Sequence, residues 1–113
     1  MRPVIYNDVL AAVSVVAGHP PECRATVATA LIREADLADA YRQAQGAAHP
    51  VFGDGSLVTA ALRHGRRGPV SFQCPCGLAA WIAVLEALAA RAARRSDQDR
   101  ICACGGPCGH SIP

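Results

Sequence analysis

Cysteine thiols and one histidine gather near the C-terminus at spacings that could bind a metal ion. The chain has six cysteines, and the segment CACGGPCGH supplies Cys102, Cys104, Cys108 and His110. Three thiolates and an imidazole suit tetrahedral zinc, although Cys-x-Cys is a tighter spacing than the usual Cys-x2-Cys. Close thiolates also suit Cu(I). A structural zinc site in this segment is one hypothesis from the sequence.

A second thiol pair lies in QCPCG, where Cys74 and Cys76 flank a proline. Both are candidate additional metal ligands, since the tail could fold back toward them. The return is marginal for Cys102 and easier for Cys108, because a helix over 76–95 would be roughly 30 Å long. Alternatively, Cys74 caps that helix, and a thiol at a helix start becomes a better nucleophile.

Two further interpretations of the thiols remain open. Structural disulfides need an oxidising compartment, and the N-terminal apolar run is a poor signal peptide because Asp8 stands near its start. The thiols could also be reduced and share no role. Cys23 stands alone, and we expect it in the core as a small hydrophobic residue.

The segment AHPVFGDGSL places two glycines around an aspartate, with a serine after them. Gly53 and Gly55 permit a tight turn with positive φ, and Ser56 or Asp54 can cap the next helix. Because helix starts bind anions, Gly53, Gly55 and Ser56 are also a candidate anion site. A phosphate loop would need a preceding strand and usually a lysine, so a turn with a cap is the favoured interpretation.

Arginines form a small basic group at Arg63, Arg66 and Arg67. The formal net charge is only +2, which is too small to indicate a nucleic-acid or anionic membrane partner. A solvated loop is the favoured interpretation. A nucleic-acid-associated factor stays as an alternative, with three more arginines near the end of the chain: Arg91, Arg94 and Arg95.

Acidic residues lie on the second helix at Glu34, Asp36 and Asp39. Asp36 and Asp39 are three apart and could share a cation, but a solvated helix face is the simpler interpretation. We expect Arg33, Asp36, Asp39 and Arg42 to face away from the core. The four histidines are scattered, and no catalytic motif includes them.

Breaker residues divide the chain into four predicted helices. The first starts at a cap, Asn7 or Asp8, and ends at Gly18; the second runs from Pro21 to about Gln45, with Gly46 as its stop. The third follows the GDGS turn and stops at Gly65, and the fourth covers 76–95. On the second helix the spacing predicts this core face: Cys23, Val27, Ala30, Leu31, Ala38 and Tyr41.

The fourth helix shows the clearest apolar periodicity. We expect the apolar stripe of this helix to form the centre of the core. The stripe consists of Leu78, Trp81, Ile82, Leu85, Leu88, Ala89 and Ala92. This stripe could also exceed what one small core covers, which would favour a homo-oligomer or a partner surface.

Composition places the chain among small helical proteins. Of the 113 residues 51% are hydrophobic and only 4% aromatic, with much alanine and little strand pattern. We predict an all-α fold, a small four-helix domain over 1–95 with an irregular Cys-rich tail over 96–113. The apolar window 78–90 is too short to span a membrane, so we expect a cytoplasmic protein.

The segments MRPV-x-Y-x-DV, EADLADAYR and AHP-x-x-GDGSL resemble those of a family of small uncharacterised proteins from alphaproteobacteria related to Rhodobacter. The likeness covers residues 1–63 and continues more loosely to VLEAL at 84–88. It implies a bacterial protein whose mature chain starts at Met1, and it implies no activity or catalytic residue.

These observations favour a non-enzymatic helical module that acts through protein contacts, with zinc in the tail as the one expected cofactor. A small alanine-rich core leaves little room for a deep pocket. We expect a protein partner or a homo-oligomer, no nucleic acid and no membrane span. The first alternative is a thiol-based redox or metal-handling protein, and the second is the nucleic-acid-associated factor.

Overall fold

The computed structural model describes residues 1–65 and 70–99, with side chains as far as Ser96, and these ranges contain four α-helices and no β-strand. The helices are α1 at Tyr6–Ala17, α2 at Arg24–Gln45, α3 at Leu57–Arg63 and α4 at Pro75–Asp99. A single 3-10 turn, Pro21–Cys23, leads directly into α2. The predicted all-α fold is confirmed.

Helix α1 is the centre of the core. Six consecutive residues, 11–16, are buried, and a helix that is apolar all round belongs inside a domain. It packs against α3 and α4, and α2 packs against the same two helices and less extensively against α1. Most core side chains are alanine or valine, so the helices approach each other closely.

The helix ends follow local sequence chemistry with one exception. Gly46 adopts φ 74° and its N–H donates to the Arg42 carbonyl oxygen at 2.8 Å, which ends α2 as predicted. The predicted cap of α1 is wrong, because the helix begins at Tyr6 with Ile5 as the capping position. Asp8 lies inside the first turn, where its Oδ2 accepts the Ile5 N–H at 2.9 Å.

The buried face of α2 differs from the predicted one. Leu31 and Ala38 are buried as expected, but Cys23 is exposed and Tyr41 is 36% exposed. The other buried positions are Arg24, Ala28, Ile32, Ala35 and Asp39. Alanine carries little hydrophobic contrast, so the spacing of the larger residues predicted a face that shares Leu31 and Ala38 with the buried one but is turned relative to it.

The face of α4 is also turned relative to the prediction. Ala80 and Val84 are buried, whereas Leu78, Ile82 and Leu85 are 43%, 54% and 50% exposed. Trp81 and Leu88 are partly buried against the core, and Ala89 and Ala92 are exposed. The small residues lie inward because the alanine and valine side of α1 leaves room only for a closely packed helix.

Two glycines permit the close approaches that fix this packing. A Cβ at Gly77 would collide with the Ser71 carbonyl oxygen, so the chain before α4 can fold across its first turn. Gly55 has φ 94°, and a Cβ there would lie 2.7 Å from the Cα of Asp39. Side chains at either position would push α3 or the 70–74 segment away from the core.

The predicted boundary between 1–95 and 96–113 falls inside α4, which continues to Asp99. Residues 100–113 lie outside the described residues. The division into a helical domain and a tail therefore stays a prediction.

Candidate functional site

The outward face of α4 carries large apolar side chains in contact with solvent. Leu78, Ile82 and Leu85 are each about half exposed, and Ala89 and Ala92 continue the same line toward the C-terminus. The spacing alternates four and three residues, which is the heptad spacing of a coiled-coil seam. We call these five residues the α4 seam.

An aromatic group lies beside the N-terminal end of the α4 seam. Phe72 stacks on Trp81 with ring centroids 5.2 Å apart, and Tyr6 stacks on Trp81 at 6.3 Å. Phe72 is 57% exposed and Tyr6 64% exposed. Neither Tyr6 nor Phe72 lies in a periodic run, so no pattern in the sequence indicates their role, and only the fold brings them to Trp81.

The rotation of α4 is fixed on its inner side by an ion pair. The Arg91 Nη2 donates to Asp36 Oδ1 at 2.8 Å, and its Nε contacts Oδ2 at 3.0 Å. The Arg91 side chain is only 15% exposed. Arg91 follows the buried Ala80 and Val84 at helical spacing. The α4 seam therefore lies on the opposite side of the helix.

Asp36 and Asp39 both contact one cation of the chain itself, whereas the favoured interpretation from the sequence was a solvated helix face. The α-amino group of Met1 lies 2.7 Å from Asp36 Oδ1 and 3.2 Å from Asp39 Oδ2. Arg42 completes the cluster by donating to Asp39 Oδ1 at 2.8 Å. The expectation that these aspartates face away from the core is wrong for Asp39, which is buried.

These contacts change the acidity of both carboxyl groups. Burial acts to raise the pKa of Asp36, but hydrogen bonds from Arg91 and from the N-terminal ammonium outweigh it, and the pKa lies below its ordinary value. For Asp39, the hydrogen bond from Arg42 is the largest cause of a lowered pKa. Both groups are therefore ionised structural anions at neutral pH.

The third acidic residue of α2, Glu34, is paired within the chain as well. Its Oε1 lies 3.0 Å from His64 Nε2, and its Oε2 lies 3.6 Å from Arg63 Nη2. The Arg63 guanidinium also lies over the Phe52 ring, 5.0 Å from its centroid. Of the predicted basic group, Arg63 is thus in an intramolecular cluster, and Arg66 and Arg67 lie outside the described residues.

The GDGS segment forms the turn and cap that the sequence predicted. Gly53 and Gly55 have φ 91° and 94°, and Ser56 Oγ accepts the Thr59 N–H at 3.3 Å. Asp54 Oδ1 accepts the N–H and the Oγ–H of Ser56 at 3.0 and 2.8 Å. The Ser56 hydroxyl is the main reason that the pKa of Asp54 is lowered.

A carboxylate already lies against the candidate anion site of Gly53, Gly55 and Ser56. Besides Asp54, Asp8 Oδ1 accepts the Val58 N–H in the first turn of α3 at 2.9 Å. The helix-start amides that could hold an external anion are therefore bonded to the chain's own carboxylates and to Ser56. Anion binding here stays a prediction, and nothing in this geometry adds to it.

The two thiols at the start of α4 are exposed and free. Cys74 precedes the first residue of the helix, and its carbonyl accepts the Leu78 N–H at 3.1 Å. Hydrogen bonds from the backbone N–H groups of Gly77 and then Cys76 lower the pKa of the Cys74 thiol. The predicted capping position of Cys74 therefore matches the observed start of α4.

The other candidate metal ligands lie outside the described residues: Cys102, Cys104, Cys108 and His110. Within 1–65 and 70–99, no group of three or more metal-binding side chains comes together. Whether the tail residues meet Cys74 and Cys76 is thus untested, and the zinc site stays a prediction.

A groove of about 380 Å³ lies between α2 and α4. Its polar lining consists of Thr29, Arg33, Asp36 and Arg94, and Asp36 is already bonded to Arg91. The lining contains no cysteine or histidine. We assign this groove no catalytic role.

By length and composition alone, the part of α4 between Pro75 and Ser96 is apolar enough to cross a membrane. The window is longer than the predicted one, 78–90. Core helices of soluble proteins pass the same test, but only 17% of this window is buried. The result indicates an apolar outer face and no clear membrane span.

Comparison with known families now places the chain. A family model described as a domain of unknown function (DUF7742) matches residues 2–88. The chain belongs to the DUF7742 family. The matched part includes α1, α2, α3 and the beginning of α4, with the three large residues of the α4 seam. No curated protein and no solved structure matches the chain.

Membership of the DUF7742 family confirms the expected likeness to an uncharacterised family. The match extends past the range 1–63, where the likeness was clearest in the sequence, and ends before the Cys-rich tail. The bacterial source and the quoted motif stay predictions.

Proposed function

We propose that this DUF7742 protein is a non-enzymatic interaction module, and that the α4 seam binds an apolar helix with the same heptad spacing. The observation that supports it is the half exposure of Leu78, Ile82 and Leu85 on one helix face. Leucine and isoleucine at alternating four- and three-residue spacing pack into the matching face of a second helix as knobs into holes.

The size of the apolar surface supports a protein partner. An aromatic side chain offers roughly 150–250 Å², and a large aliphatic one offers about 100 Å² by its transfer free energy. Two aromatic and three aliphatic side chains at about half exposure therefore offer on the order of 400 Å² of apolar surface. These five are Tyr6, Phe72, Leu78, Ile82 and Leu85. A standard interface buries roughly 800 Å² per partner, of which roughly 57% is nonpolar, so the surface has about the required apolar area.

The charges around the α4 seam also favour an apolar partner. Glu86 is the charged residue beside the seam between positions 78 and 90, and it is exposed. Arg91 is held by Asp36 on the inner side. A nucleic acid or an acidic peptide would find little positive charge along this part of the helix.

The carboxylates and histidine that could serve catalysis are already engaged in structure. Asp36 and Asp39 bind cations of the chain itself, and Glu34 binds His64. The pKa values of Asp36 and Asp39 are lowered by these contacts, and a carboxylate whose pKa lies far below neutral pH is a weak general base. This supports the non-enzymatic part of the proposal.

A synthetic peptide tests the proposal, with leucines at heptad spacing and Glu or Lys elsewhere. Native mass spectrometry of the full chain with excess peptide is expected to show a one-to-one complex. The complex should be lost in Leu85→Asp and kept in Thr26→Asp, which adds the same charge to an exposed position on α2. A complex of equal strength with a peptide of scrambled spacing, or equal loss in both variants, would overturn the proposal.

A thiol-based function is the second candidate, and the lowered pKa of Cys74 favours it. The thiol is exposed, stands beside Cys76 and accepts helix-start N–H groups. Reaction with a small-molecule disulfide would form a Cys74 mixed disulfide and release one thiolate. Replacement of Cys74 by Ser should slow the protein's reaction with the disulfide at neutral pH more than replacement of the exposed Cys76 by Ser does, and it should leave peptide binding by the α4 seam unchanged.

We further propose a structural zinc ion held by the tail residues Cys102, Cys104, Cys108 and His110, on the chemistry of the donor set. Elemental analysis of protein purified without a chelator should give one zinc per chain, with masked thiols. Zinc-free protein with all thiols titratable would contradict this. From the family resemblance we also propose a cytoplasmic location in an alphaproteobacterium related to Rhodobacter.

A further inference from the structure

We propose that the helix that packs on the α4 seam is α4 of a second copy, in antiparallel orientation, with Ile82 of one chain opposite Leu85 of the other. This inference rests on the proposed function, because it names the partner of the same surface. The protein would then be a two-fold symmetric dimer, in which the same residues of both copies form the interface.

The seam is complementary to itself in this register. Antiparallel coiled coils pair a positions with d positions, and Ile82 and Leu85 take those roles. When Ile82 faces Leu85 of the second copy, Leu78 faces Ala89 by the same spacing. A large residue therefore meets a small one toward each end of the contact, and the two largest pairs lie at its centre.

The charges agree with the antiparallel direction. Glu86 is exposed beside the seam, and this register places it near Ala79 of the second copy. Ala79 is uncharged, so no like charge opposes the Glu86 carboxylate in this arrangement. A parallel arrangement would instead bring Arg94 and Arg95 of both chains to one end, where they would repel each other.

The area supports a second copy as well. The exposed apolar surface of each chain, on the order of 400 Å², is close to the nonpolar part of one side of a standard interface. Trp81 and Leu88 are partly buried within one chain, and both flank the seam. A second α4 would complete their burial.

A lipid surface is the alternative occupant, and the structure favours it less. Helices that lie in a membrane interface carry lysine or arginine along the polar side. Between positions 78 and 90 the inner side of α4 is packed against the core with Ala80 and Val84, and the flanking charge is Glu86. An anionic bilayer would repel that carboxylate.

Sedimentation velocity of the full chain over a wide concentration range tests the inference. The protein should dimerise at micromolar concentration, and Leu85→Asp should weaken dimerisation at least about 100-fold, since each dimer carries the change twice. Thr26→Asp should dimerise as the unchanged protein does. Loss in both variants would show that added charge, not the seam, governs association.

Thiol cross-linking tests the direction and register. Mixing Ala79→Cys with Glu86→Cys should give a covalent dimer under mild oxidation, beyond the background of native cysteines in either variant alone. Cross-linking of each variant with itself at the same yield would overturn the antiparallel register.

Two further outcomes separate this inference from the proposed function. A chain that stays monomeric at every concentration but binds the heptad peptide overturns self-pairing and leaves the interaction module intact. A monomer that instead sediments with phosphatidylglycerol vesicles, and loses this in Leu85→Asp, overturns self-pairing in favour of a lipid surface.

Discussion

The Arg91 guanidinium holds the Asp36 carboxylate across a sequence separation of 55 residues, with three N–O contacts of 2.8 to 3.2 Å. It ties the C-terminal half of α4 to the middle of α2. The orientation of α4 that brings Arg91 to Asp36 also turns the α4 seam toward solvent, so the ion pair and the exposed seam are two consequences of one helix orientation.

Removal of this ion pair should destabilise the fold. Replacement of Arg91 by Ala leaves Asp36 with the N-terminal ammonium as its remaining partner, and we expect the free energy of unfolding to fall by about 1–3 kcal/mol. Urea unfolding of both proteins measures this change in the free energy of unfolding. Arg94→Ala is the matched control on the next turn, where the side chain is exposed, and it should change stability by less than about 0.5 kcal/mol.

The same carboxyl group predicts a pH dependence. The pKa of Asp36 is lowered in the folded chain, so its contribution is fully present above the ordinary aspartate value of about 3.9. It is lost as the pH falls from there through the folded pKa. Urea unfolding from neutral pH down to about pH 3 should show a steeper loss of stability for the unchanged chain than for Asp36→Asn. Parallel curves would contradict the ion pair.

Neighbouring residues of α4 test the helix orientation. Val84 is 1% exposed and Leu85 is 50% exposed, although the apolar spacing predicted Leu85 in the core. Val84→Ala should lower the free energy of unfolding by about 1–3 kcal/mol through a cavity. Leu85→Ala should change it by less than about 0.5 kcal/mol, measured at concentrations low enough to exclude self-association. The reverse order would show that the seam faces inward.

Gly55 should tolerate no side chain. With φ 94° and Asp39 within 2.7 Å of a Cβ, Gly55→Ala combines backbone strain with a clash and should cost about 2 kcal/mol or more. Gly46 is the control, since its φ is also positive, at 74°, but a Cβ added there would meet no other part of the chain within 4 Å. Gly46→Ala should therefore cost about 1 kcal/mol, from backbone strain alone. Thermal unfolding of both variants gives the comparison, and equal losses would argue against the close approach of α3 to α2.

The Cys74 thiol should react faster with an alkylating agent than the exposed Cys23 thiol. Because its pKa is lowered by the helix-start N–H groups, more of it is thiolate at a given pH, and its alkylation profile should shift to lower pH. Iodoacetamide labelling of Cys74→Ser and Cys76→Ser, followed by peptide mass spectrometry, assigns the rates. Identical pH profiles for Cys74 and Cys23 would be inconsistent with the observed cap.

The ends of several helices could be predicted from the sequence alone, because they depend on local chemistry. Gly46 ends α2 through its left-handed backbone, Ser56 caps the start of α3 with its side chain, and Pro75 begins α4 with its fixed φ. Each of these effects acts over a few neighbouring residues. The fold class followed from the same breakers. The turn and cap at GDGS were predicted for this reason, and the structure has them.

Which side of each helix faces inward was decided by the tertiary structure. The helices are rich in alanine, so apolar residues occur on both sides of α4, and periodicity selected the side with the larger residues. Packing selected the other side, because α1 leaves room for Ala80 and Val84 but not for a row of leucines. The pairing of Asp36 with Arg91 and the stacking of Tyr6 and Phe72 on Trp81 likewise depend on contacts between residues far apart in the chain, which no local pattern encodes.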